Sequence, residues 1–107
     1  MIYGETKKND WKLFQQKIGD WQERYMQKLL IEYTKLLSTA LPASERFWLL
    51  DEQIKKDKRN PGIQMKLDKN DMPLDLARLI KLKIVSFNDL DGFSPELVEY
   101  LHEILER

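Results

Sequence analysis

The chain of 107 residues has no cysteine. Disulfide scaffolds, thiolate zinc sites and a cysteine nucleophile are therefore excluded. There is one histidine, His102, which leaves little material for Ser–His or Cys–His catalysis. The four glycines are scattered, so no glycine-rich phosphate loop can be assembled. No apolar run approaches the roughly 18 residues of a membrane span. The opening, MIYGETKKND, has no apolar core of signal-peptide length. Net charge is lacking too: 18 Lys and Arg balance 18 Asp and Glu, and the global basic charge that draws proteins to nucleic acid is missing. From these absences we expect a cytoplasmic, non-enzymatic protein with no cofactor, no metal and no membrane contact.

What is present points to a packed helical domain. Apolar residues make up 42%, with three Trp, four Tyr and four Phe, enough for one core. The strongest signal is the stripe Trp11, Phe14, Ile18, Trp21, Tyr25, Leu29, Tyr33, Leu36 and Ala40. Its spacing averages about 3.6 residues, the period of a straight helix rather than the 3.5 of a coiled coil. Asn9 or Asp10 is expected to cap this helix. Met26, Leu30 and Leu37 widen the stripe, so neighbours are expected on two sides. Gly19 marks a bend or a close helix contact.

Leu41-Pro42 breaks the pattern. A second helix is expected over 44–58, with Phe47, Leu50 and Ile54 inward and Trp48 and Leu49 at the edges. KKDKRNPG ends it, with cations at the negative end of the dipole and a turn at Asn60-Pro61-Gly62. GIQMKLD alternates like a weak strand but has no partner, so a covering loop or a strand paired with its own copy is expected. Asn70 or Asp71 should cap a third helix over 71–82, with Pro73 in its first turn. A fourth, over 95–106, should bury Leu97, Leu101, Ile104 and Leu105. The expectation is all-α: a small orthogonal or irregular bundle of about four helices on one long N-terminal helix, with 1–8 a flexible lead and 9–107 a single domain.

The stretch NDLDGFSPE resembles a calcium loop until its register is counted. With Gly92 at loop position 6, Asp89 and Asp91 fall on positions 3 and 5, but Phe87 and Val98 occupy positions 1 and 12, where oxygen ligands belong. Ser86 and Asp89 have capping-box spacing instead, Gly92 ends a turn, and Ser94-Pro95-Glu96 opens a helix. Glu99 and His102 have the Glu-x-x-His spacing of di-iron bundles, but a single histidine cannot supply the two motifs needed. Asp51 and Glu52 read as a charged helix face.

Charge is uneven along the chain. Residues 55–85 carry 9 basic and 4 acidic side chains, net +5, and 86–107 carry 1 and 6, net −5. Lys55, Lys56, Lys58 and Arg59, flanked by Trp48, are candidate phosphate contacts for an accessory nucleic-acid role. A helix-turn-helix docking is disfavoured, because Glu96, Glu99, Glu103 and Glu106 would face phosphate. Three short helices must cover about 45 Å of the long one, so an uncovered part should pair with a second copy or another protein. Trp11, Trp21 and Trp48 are the candidate partner-binding residues; if any are exposed anchors these are Trp11 and Trp21, nearest the N-terminus, and ordinary core packing is the alternative for each.

The phrases KIGDWQERYMQKL, LPASERFWLLDEQIKKDKRNPG and VSFNDLDGFSPELVEYL together resemble a family of small uncharacterised proteins of Gram-positive gut bacteria, often encoded near mobile elements. The likeness covers nearly the whole chain. It implies a bacterial cytoplasmic setting and supplies no catalytic residues. The expected role is an interaction or regulatory module, possible homodimerisation included.

Overall fold

The computed structural model describes residues 3–106. The fold is all-α, and no strand occurs among the described residues. Helix α1 runs Lys8–Leu37, α2 Ala43–Asp57, α3 Met72–Lys81 and α4 Pro95–Leu105, with a 3-10 turn at Phe87–Leu90 between the last two. The alternating stretch at 63–67 is irregular backbone, so its period does not produce a strand. The chain groups into two compact units: residues up to 21 together with those from 66 onward, and residues 22–65.

The first unit holds most of the buried apolar side chains. Phe14, Ile18 and Trp21 come from α1, Met72, Leu76 and Leu79 from α3, and Leu97 and Leu101 from α4. Each set repeats at three or four residues, which is why each helix turns one stripe inward. Ile84, Val85, Leu90 and Phe93 fill the link between α3 and α4.

Helix ends in this unit follow from local chemistry. Pro73 and Pro95 lie in the first turns of α3 and α4, where a missing N–H is harmless. At the end of α3, Lys83 adopts φ 62°, donating to Ile80 O while Ile84 donates to Leu79 O, each at 3.0 Å. That is a Schellman stop, with lysine where glycine is usual. The Ser86–Asp89 capping box forms around the 3-10 turn. Gly92 takes φ 92°, and the Ser94 hydroxyl accepts from Leu97 N–H at the start of α4. Gly19, by contrast, has nothing within 4 Å of a Cβ position, so the close helix contact expected there is not made.

Two caps differ from expectation. Helix α1 begins before Asn9, and Asp10 lies in its first turn rather than ahead of it. Asp71 precedes α3 but makes no side-chain cap. Residues 3–7, part of the expected flexible lead, are anchored: Tyr3 and Thr6 are buried. The Thr6 hydroxyl donates to Lys69 O at 2.7 Å. Lys7 Nζ stands 3.0 Å from the Glu96 carboxylate. Residues 1 and 2 of that lead lie outside the described residues.

Candidate protein-docking surface

The second unit has a different character. Among residues 22–65, Leu29 is the buried side chain of the large apolar type. Helix α2 has no buried residue at all. It is a good helix by local chemistry: Pro42 precedes it, Glu45 sits near its positive end and Lys55 and Lys56 near its negative end. Its stripe is narrow, because Asp51 interrupts the apolar face that Phe47, Leu50 and Ile54 begin.

Polar bonds hold this unit together. Arg46 closes the end of α1, donating from Nε to Leu41 O and from Nη1 to Leu37 O, each at 2.9 Å. The bond to Leu37 O satisfies a carbonyl left free by the helix terminus, and the bond to Leu41 O fixes the loop that follows. The Tyr33 hydroxyl donates to Asp57 Oδ2. Asn60 Nδ2 donates to the Tyr25 hydroxyl at 3.2 Å, and Gln22 Nε2 to Pro61 O at 2.9 Å. Burial first, then the hydrogen bond to Asp57, pushes the Tyr33 phenol above its ordinary value. Burial first, then the Asp57 and Glu32 carboxylates, raises Tyr25. Both phenols are held neutral, as anchors rather than as acids.

The surface this unit offers mixes charged side chains with exposed apolar ones. Phe47 is 62% exposed and Trp48 64%, their rings edge-to-face with centroids 5.0 Å apart. Leu30, Ile31, Leu37, Leu41 and Leu49 are also exposed. A groove of about 300 Å³ lies over Met26, Leu29, Tyr33, Ile54 and Ile63, with Asp57 and Lys58 among its lining. Single exposed leucines are ordinary on a protein surface. Phe47 and Trp48 differ in being two large rings in contact and both mostly in solvent.

The expected site residues divide accordingly. Trp48 is exposed on α2. Trp11 is half-buried and stacked on Phe14 at 6.1 Å. Trp21 is 5% exposed, stacked on Phe93 at 6.2 Å and edge-on to Phe14 at the same distance. It is a core residue and not an exposed anchor, because Phe93 arrives from a distant part of the chain to cover it. Lys55 pairs with Asp51 at 2.9 Å, while Lys56, Lys58 and Arg59 are exposed. The exposure of Phe47 carries no signal in the sequence, since its spacing fits the inner face of α2; Ile31 falls opposite the α1 stripe, so its exposure follows from the period. His102 lies flat against Phe87 at 3.8 Å and pairs with Glu106 at 3.1 Å. No group of three or more His, Asp or Glu side chains suited to a metal ion occurs among the described residues. No helix among them is long and apolar enough to cross a membrane.

The chain matches no protein-family model, no curated protein and no solved structure.

Proposed function

We propose that this chain is a non-enzymatic protein-docking module whose recognition surface is α2 with its Phe47–Trp48 tip. The observation that carries the reading is a helix of 15 residues with none fully buried, Leu50 and Ile54 only half-buried, and two aromatic rings 62% and 64% exposed. Isolated helices of this length are marginal in water and usually draw their stability from packing. A covering partner would supply that packing. Tyr and Trp anchors dominate binding energy where they fill a partner's pocket. The neutral Tyr25 and Tyr33 fit a scaffold role. In this reading the protein acts in the cytoplasm, and its resemblance to small mobile-element-linked bacterial proteins supports a bacterial setting.

Nucleic-acid binding through Lys55, Lys56, Lys58 and Arg59 has less support. Glu45 and Glu52 are exposed on the same helix and would repel phosphate. The test is retention of proteins from a bacterial lysate by the immobilised chain and by its Phe47→Asp/Trp48→Asp variant. Both substituted residues are exposed, so helicity should persist by circular dichroism. A protein held by the wild type and released by the variant supports docking. Equal retention by the two overturns it, and so does retention of nothing by a chain that also fails to self-associate. Binding to mixed DNA and RNA that falls steeply with salt would favour the second reading instead.

A further inference from the structure

Resting on the docking reading, we infer that the partner α2 receives is a second copy of this chain, laid antiparallel along α2. The stripe Trp48, Glu52, Lys55 and Arg59 is spaced 4, 3 and 4. At 3.6 residues per turn these four positions share a strip about 60° wide and roughly 16 Å long. All four residues are exposed. Arg59 continues the helical course beyond α2: Lys58 keeps φ −58° and ψ −23°, and Arg59 N–H donates to Lys56 O at 3.2 Å.

The order along the stripe is aromatic, acid, base, base. Turned end for end, it meets itself in register. Glu52 of one copy faces Lys55 of the other, and Trp48 faces Arg59, each contact occurring twice about one two-fold axis. Such isologous, self-complementary surfaces are the rule in C2 dimers. Arg over an indole face is a favoured cation–π pair. Lys55 keeps donors for a second carboxylate, because its ammonium has three and Asp51 is at 2.9 Å. A uniformly acidic partner would be repelled at Glu52 and a uniformly basic one at Lys55 and Arg59, whereas an antiparallel copy sets each charge against an opposite charge or a ring. Phe47 and Leu49 flank the strip about 100° to either side, so they border the contact rather than fill it.

One helix-on-helix contact falls at the small end of specific interfaces, so the dimer should be weak, with a Kd on the order of 10–100 µM. Sedimentation equilibrium from about 10 µM to 1 mM should carry the mass from 12.9 kDa towards twice that value. Glu52→Lys and Lys55→Glu should each raise the Kd about tenfold or more. Mixed one to one, the two variants should pair with each other as tightly as the wild type, because every 52–55 contact is again between opposite charges. Trp48→Ala should weaken association about tenfold. A wild-type monomer at 1 mM overturns the proposal, and so does a mixture no tighter than its components. A chain that stays monomeric yet holds another protein through Phe47 and Trp48 overturns self-docking and leaves the docking module standing. Failure of both assays removes both.

Discussion

The Asp10 carboxylate accepts from the Ser94 backbone N–H at 2.8 Å and from the Ser94 hydroxyl at 2.6 Å, across 84 residues of sequence. The Tyr3 hydroxyl donates to the same group at 2.7 Å. One buried acid thus ties the N-terminal segment, the first turn of α1 and the cap of α4 within a single unit. Buried charge is tolerated when it is hydrogen-bonded in this way.

Asp10→Ala should therefore destabilise the first unit by about 3 kcal/mol, since it leaves donors without their acceptor. Ser94→Ala should cost about 1 kcal/mol through the lost cap. The double variant should cost less than the two single losses together. Urea unfolding of all four proteins measures this coupling, and strict additivity would break the proposed link.

Tyr3 should make the protein alkali-sensitive. Burial is the main cause, and the bond to Asp10 adds to it; together, against an opposing bond from the Lys7 N–H, they push the Tyr3 phenol from 10.0 up to about 12. The folded value lies above the unfolded one, so this stabilisation is fully present below pH 10 and is lost as pH rises through about 12. The urea midpoint of the wild type should fall across that window more than that of Tyr3→Phe. Parallel falls would show that Tyr3 is not the cause.

Lys83 holds a left-handed conformation at the end of α3. That geometry costs a side-chain-bearing residue about 1–2 kcal/mol. Lys83→Gly relieves it, at some cost in unfolded-chain entropy, for a net gain of about 0.5–1 kcal/mol. A rise in the thermal midpoint is the expected reading.

The same substitution should act oppositely at two glycines. Gly19 lies inside α1 with nothing near its Cβ position, so Gly19→Ala should stabilise by about 1 kcal/mol. At Gly92, φ is positive and a Cβ would stand 3.1 Å from Leu13 Cδ2. Gly92→Ala should destabilise by about 1–2 kcal/mol. Chemical denaturation of the pair checks both signs.

Two tryptophans should differ as sharply. Trp21→Ala opens a cavity in the first unit and should cost roughly 3–5 kcal/mol. Trp48→Ala, on an exposed helix face, should change monomer stability by no more than about 0.5 kcal/mol. Similar losses at both positions would contradict the exposure of α2.

Much of the helical layout is readable because it is local. The 3.6-residue stripe marks α1, and the Ser86–Asp89 and Ser94-Pro95 signals mark the start of the 3-10 turn and of α4. Gly92 is legible as a stop for the same reason: few other residues accept its conformation. Lys83 is not, since lysine carries no mark of a left-handed cap. The docking surface is legible in part. Trp48 stands out by its type and its place at a helix edge. Phe47 fits an inner face by spacing, because periodicity shows which residues share a face and not whether anything covers it.

Sequence alone determined an all-α chain of four helices and most of their ends, through backbone propensity, capping and period. Tertiary structure decided which apolar faces are covered. Phe93 and the N-terminal segment bury one end of the long stripe around Trp21 and Asp10, whereas α2 leaves Phe47 and Trp48 in solvent. Burial depends on what the rest of the chain brings alongside, a long-range property that no local spacing encodes.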